Sequence, residues 1–269
     1  MKGFDAKQPI GIFDSGIGGL TVAHAIKKVL PNEQLIYFGD TAHLPYGDKS
    51  ADAIRYYALK ISKFLLEQNC KMIVIACNSA SSAAYDLLLE FFEGKALFVN
   101  VVDPLVNAVI TKSYQRVGVI ATKATIHSNI YRNKIKALQQ NVYVGQLATP
   151  LLVPMIEEGL YKGEITHSII ENYLSNPVLA DLDALLLACT HYPLIKPEID
   201  AYYHGKIDIM DSMEAAARMC VEILEEHQLI NLERSESDRF YVSDYTPSFE
   251  HTAKMFYGDD IELQTHSIW

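Results

Sequence analysis

The chain has 269 residues, 49% of them hydrophobic, enough for one large domain or two of ordinary size around a substantial core. Its formal net charge of −10 argues against a sequence-independent nucleic-acid binder, which needs a basic surface, but leaves room for an anionic substrate held by local dipoles. No apolar run is long enough to span a bilayer, and residues 1–5 lack the apolar stretch of a secretion signal, so a cytoplasmic protein with no membrane partner is expected.

Residues 9–13 read as a strand, 20–29 as a helix and 34–38 as a second strand. Residues 49–68 form a long helical pattern, with Ile54, Tyr57, Ala58, Ile61, Phe64 and Leu65 at helical spacing. A strand over 71–76, a helix over 81–92 and a strand over 97–101 follow. This βαβα order predicts an α/β fold with a parallel sheet covered on both faces.

The pattern then restarts. Residues 116–120 (Arg-Val-Gly-Val-Ile) resemble residues 9–13 (Pro-Ile-Gly-Ile-Phe), and each is followed by a polar loop. Gly11 precedes Cys77, and Gly118 precedes Cys189, by similar spans. Both cysteines close an apolar run ending in Ala-Cys, the first followed by Asn78-Ser79 and the second by Thr190-His191. The expectation is an internal duplication giving two pseudo-symmetric α/β lobes with a ligand site in the cleft between them. Boundaries are placed near Asp103-Pro104 and within 207–211, so that one lobe takes residues 1–102 and 209–269 and the other 103–208. Residues 212–227 read as a helix and 239–243 as an added strand, in a tail that packs back onto the first lobe.

The loop Asp14-Ser15-Gly16-Ile17-Gly18-Gly19 sits between a strand and a helix, where glycines allow close approach to a ligand and a helix N-terminus favours a carboxylate or phosphate. It is neither a dinucleotide fingerprint nor a Walker A loop. Asp14 alone reads equally well as a helix cap. A second loop, residues 39–47, carries Pro45-Tyr46-Gly47 and would present backbone amides at Tyr46 and Gly47. Cys77 at a helix start favours the thiolate, and His191 stands within reach of Cys189 or a substrate. Either cysteine taken singly reads as a buried structural thiol; the paired setting points to two thiols working on one substrate. Cys70 and Cys220, in apolar helix-like contexts, read as structural. A cytosolic chain keeps its thiols free, and the absence of Cys/His ligand spacing predicts no metal site.

With these loops assembled, the chain resembles the glutamate racemases of the aspartate/glutamate racemase superfamily, over essentially its whole length. The most specific segments are Phe13-Asp14-Ser15-Gly16-Ile17-Gly18-Gly19, Pro45-Tyr46-Gly47, Ala76-Cys77-Asn78-Ser79-Ala80 and Ala188-Cys189-Thr190-His191-Tyr192-Pro193-Leu194. The resemblance implies a cofactor-independent isomerase that supplies D-glutamate for peptidoglycan in the cell wall, built as a homodimer. It implies Cys77 and Cys189 as the acid/base pair, Asp14 assisting Cys77, His191 assisting Cys189, and Glu157 orienting His191. It further implies substrate contacts from Asp14, Ser15, Tyr46, Gly47, Asn78, Ser79, Thr190 and His191, with Thr122 and Thr125 added from the second lobe.

The chain departs from the family pattern at Ser79, where threonine is common, and at Ala121 and Ala124, where glycines are usual. The short segment before the first strand resembles members without the extension associated with activation by a peptidoglycan precursor. Rival readings are an aspartate or hydantoin racemase, a cysteine hydrolase using Cys189, His191 and Glu157, and a non-catalytic binding protein. The hydrolase leaves Cys77 with no role.

Overall fold

The aliphatic runs become strands because both faces of each are covered. All residues of β1 (Ile10–Asp14), β2 (Leu35–Gly39) and β3 (Met72–Ile75) are buried in the computed structural model, which describes residues 3–233 and 236–269. α1 (Leu20–Val29), α2 (Ala51–Glu67) and α3 (Asn78–Phe91) connect them, and β4 (Leu97–Asn100) follows. Ser50 caps α2 by accepting a hydrogen bond from the Ala53 amide at 3.3 Å. The stripe Ile54, Ala58, Ile61, Phe64 and Leu65 is the buried face of that helix.

α3 begins at Asn78, three residues before the pattern suggested. Cys77 takes the N-cap position, its sulfur accepting from the Ala80 amide at 3.4 Å, so the helix starts directly after the strand. The cap role usually held by Ser, Thr, Asp or Asn is here held by a thiol, which a hydropathy pattern does not signal.

The restart seen in the sequence yields α4 (Val102–Lys112), β5 (Arg116–Ala121), α5 (Lys123–Ser128), α6 (Ile130–Leu138), β6 (Tyr143–Ala148), α7 (Leu152–Glu157), α8 (Glu164–Leu174), β7 (Ala184–Ala188), α9 (Lys196–Tyr203) and β8 (Asp208–Asp211). The tail adds α10 (Met213–Glu226), β9 (Arg239–Val242), α11 (Pro247–Tyr257) and β10 (Leu263–Thr265). Two parallel sheets result, ordered β10-β9-β2-β1-β3-β4 and β6-β5-β7-β8. The four strands of the second sheet follow the same order as β2-β1-β3-β4 of the first, so in each sheet the strand that leads to a cysteine, β3 or β7, is paired to that sheet's first strand, β1 or β5.

The chain divides into two compact units. One runs through Val101 and resumes at Met213; the other is Val102–Ser212. In the first, the tail extends the sheet: β9 pairs in parallel with β2, from Ile36↔Arg239 to Gly39↔Val242, and β10 pairs with β9. Lys71 anchors the same unit from within. It is fully buried, its Nζ lies 2.7 Å from Glu33 Oε2, and it donates to the carbonyls of Ala6 and Leu229. The second unit closes on a core of Leu105 and Val109 from α4, Val117 and Val119 from β5, Ile135 from α6, Val144 from β6 and Leu186 from β7.

Candidate active site

The candidate residues gather in two clusters, one in each unit, both at the C-terminal ends of parallel strands, where open α/β sheets place ligands. In the first unit, Asp14 ends β1 and Cys77 follows β3. Asp14 does not hold the N-cap position of α1, which Gly19 occupies. Its buried carboxylate instead gathers the glycine loop: Oδ2 accepts from the amides of Gly16 at 3.3 Å and Gly19 at 3.0 Å. The close approach requires glycine. A Cβ on Gly19 would lie 2.5 Å from Asp14 Cβ and 2.9 Å from Ala76 Cβ. On Gly39, at the end of β2, it would lie 2.2 Å from the Gly16 carbonyl oxygen. Tyr37 donates to that carbonyl at 2.8 Å, and burial, together with the charges of Asp14 and Cys77, keeps its phenol protonated for that purpose.

The Cys77 sulfur lies 3.7 Å from Ser15 Oγ and accepts from the Ala80 amide at 3.4 Å at the start of α3. Asn78 and Ser79 form the first turn of that helix and are buried. Tyr46 is fully buried on the loop between β2 and α2, with Gly47 half-buried beside it. Its hydroxyl donates to Asp40 Oδ2 at 2.6 Å, and burial and the Asp40 charge raise its pKa far above the ordinary phenol value.

In the second unit, Cys189 follows β7, and its sulfur lies 3.9 Å from His191 Nδ1. His191 Nε2 lies 3.0 Å from Glu157 Oε1, at the end of α7. Burial alone would pull the imidazole below its usual pKa. The Cys189 sulfur and the Glu157 carboxylate outweigh it and raise His191 to about 10, so the ring is an imidazolium at neutral pH, with a proton for each partner. Thr190 is buried between them in sequence. Thr122 caps α5: its Oγ1 accepts from the Thr125 amide at 3.5 Å and lies 3.3 Å from Thr125 Oγ1. The hydroxyls of both threonines thus take part in forming the helix start itself.

Two supports went unread in the sequence. Asp40 is fully buried and accepts from Tyr46, Ser243 and His43. Thr149 Oγ1 lies 2.7 Å from the Tyr192 hydroxyl, tying the loop after β6 to the turn that carries Cys189 and His191. A carboxylate immediately after an apolar strand and a threonine beside a proline were the available signals, and neither stands out without the fold. Among the described residues, no three His, Cys, Asp or Glu side chains are grouped to hold a metal ion, and no helix is long and apolar enough to cross a membrane.

Each cluster therefore offers a thiol at a strand end, with a helix N-terminus or an imidazolium beside it and backbone amides nearby. Such groups can take or give a proton near neutral pH and bind a carboxylate. Residues 20–220 match the family model described as Asp/Glu/Hydantoin racemase. The glutamate racemase of Geobacter metallireducens is 41% identical over 252 residues, covering 93% of this chain and 92% of that one. The glutamate racemase of Chlorobaculum parvum is 40% identical over 260 residues, 95% of each chain. The crystal structure of glutamate racemase from Francisella tularensis in complex with D-glutamate superposes with a TM-score of 0.92 at 38% identity and covers 98% of both chains. The chain belongs to the Asp/Glu/Hydantoin racemase family, within its glutamate racemase branch.

Proposed function

We propose that the protein interconverts L- and D-glutamate by a two-thiol proton transfer without a cofactor. The carrying observation is the similar placement of Cys77 and Cys189, each within two residues of the end of the strand that pairs with the first strand of its own sheet. An α-hydrogen of an amino acid is a weak acid, and inversion needs one group to remove a proton from one face and another to deliver one to the opposite face. Thiols suit both roles because their pKa lies near working pH. In the L-to-D direction Cys189 is the base and Cys77 the acid; in the reverse direction the roles exchange.

Asp14 assists Cys77 by holding the glycine loop against it, and His191, held by Glu157, assists Cys189 with an imidazolium proton. The substrate carboxylates are received by the amides and hydroxyls of Ser15, Tyr46, Gly47, Asn78, Ser79 and Thr190, with Thr122 and Thr125 contributing from the loop after β5. Those among them that hold the α-carboxylate spread the charge that develops as the α-carbon loses its proton. Supply of D-glutamate for peptidoglycan, a cytoplasmic setting and a homodimer belong to the same proposal and rest on the family resemblance.

The test is incubation of purified protein with L-glutamate in D₂O, with no cofactor added, followed by circular dichroism and mass spectrometry. Loss of optical rotation with deuterium entering the α-position is expected. Parallel assays with L-aspartate and a hydantoin define the substrate. A protein that leaves glutamate unchanged, or hydrolyses an amide or ester instead, would overturn the reading.

A further inference from the structure

We propose that Asp40 is a positioning residue for racemisation, acting through Tyr46, and that Ser243 of the C-terminal segment holds it in place. The inference rests on the assignment of Tyr46 and Gly47 as substrate contacts.

Asp40 follows β2 and is fully buried. A buried carboxylate needs several donors, and this one has three, two from its own loop and one from the C-terminal segment. Tyr46 Oη donates to Oδ2 at 2.6 Å, Ser243 Oγ donates to Oδ1 at 2.9 Å, and His43 Nδ1 lies 2.9 Å from Oδ1. The Asp40 amide donates to the carbonyl of Asp14 at 3.0 Å, so the same residue ties the Tyr46 loop to the end of β1. Ser243 is itself fixed twice: its amide donates to the Gly39 carbonyl at 3.0 Å, and its Oγ accepts from the Ala42 amide at 2.9 Å. The His43 ring is stacked on Tyr57, with centroids 4.3 Å apart, and meets the edge of Trp269 at 4.4 Å.

One consequence is chemical. The Tyr46 hydroxyl is engaged by Asp40, so what this loop offers a bound carboxylate is backbone N–H at Tyr46 and Gly47. The Asp40–Tyr46 bond sets where those amides sit. Binding donors used equally in ground state and transition state act on KM rather than kcat. A role in stability alone would lower the melting temperature and leave KM unmoved.

The experiment compares the full-length parent with Tyr46→Phe, Asp40→Asn, the double variant and Ser243→Ala. It measures kcat and KM with L- and D-glutamate alongside a thermal melt. A hydrogen bond to a charged group sets the expected scale: Tyr46→Phe and Asp40→Asn each raise KM about tenfold for both enantiomers, with kcat changed less than about threefold. The double variant matches the weaker-binding single variant, and Ser243→Ala moves KM in the same direction. Unchanged KM in Tyr46→Phe, or single effects that multiply in the double variant, overturns the proposal. Should Asp40→Asn fail to fold, Tyr46→Phe and Ser243→Ala, which leave the carboxylate two donors each, decide the matter. An inactive parent would instead sink the racemase reading, a result separate from active variants with normal KM.

Discussion

The carboxylate of Glu157 lies 3.0 Å from His191 Nε2, while the other nitrogen of that ring lies 3.9 Å from the Cys189 sulfur. The imidazole is thus held between a carboxylate that fixes its orientation and the sulfur of a thiol. Its raised pKa, to about 10, follows from both neighbours together overcoming burial.

That value sets a titration. An imidazole unperturbed in the unfolded chain titrates near 6.5, so the folded pKa is the higher one. The stabilisation from this pairing is full below about pH 6.5 and is lost as pH rises toward about 10. NMR of His191 should show a protonated ring at pH 8. Glu157→Gln should move its titration to lower pH and reduce turnover, while a ring already neutral at pH 8 in the parent would contradict the assignment.

The two cysteines carry separate predictions. Cys77→Ala and Cys189→Ala should each leave the circular dichroism spectrum of the fold intact and lower the racemisation rate by about 10² to 10⁴ or more. Each variant should still bind glutamate in calorimetry, because the carboxylate donors remain. Near-parent turnover in either variant would remove the two-thiol scheme.

Gly39 faces the carbonyl of Gly16 so closely that an added Cβ would lie 2.2 Å from its oxygen. Gly39→Ala must push the glycine loop away from Asp14. A stability loss of about 1–3 kcal/mol is expected from the overpacking. Activity should fall more steeply than that of a surface control, because the displaced loop carries Ser15 beside Cys77.

Lys71 and Glu33 form a buried ion pair 2.7 Å apart, and Glu33 Oε1 also accepts from the Asn231 amide at 2.8 Å. Lys71→Met strands a buried carboxylate and should cost about 3–5 kcal/mol, whereas Lys71→Met with Glu33→Leu should recover much of that loss. The single tryptophan, Trp269, packs on His43 and Tyr57, so its fluorescence in a urea titration reports this unit.

The duplication was legible because buried parallel strands are near-continuous apolar runs, and the repeated Ala-Cys endings mark equivalent places. The strands over β1–β5 and β7, the helix α1 and the cysteine, aspartate and histidine positions all follow from such runs and their polar punctuation. Cys77 at a helix start was legible, but its sulfur as the cap and the first helical residue at Asn78 rather than Ser81 were not, since a thiol is not a customary capping group. The strand β10 is three residues long and ends in exposed polar side chains, so no alternation announces it. The Asp40–Ser243 contact joins positions 203 residues apart and depends on β9 pairing with β2, a register no local pattern encodes.

Because β9 is laid against β2, the first unit draws on both early and late stretches of the polypeptide, whereas the second is one uninterrupted stretch. During synthesis the middle portion can therefore complete its own sheet while the six-stranded one still lacks an edge. The Tyr46 loop gains its last hydroxyl partner only once Ser243 has left the ribosome, so a nascent chain interrupted before that point would carry both thiols without the finished support for one of them.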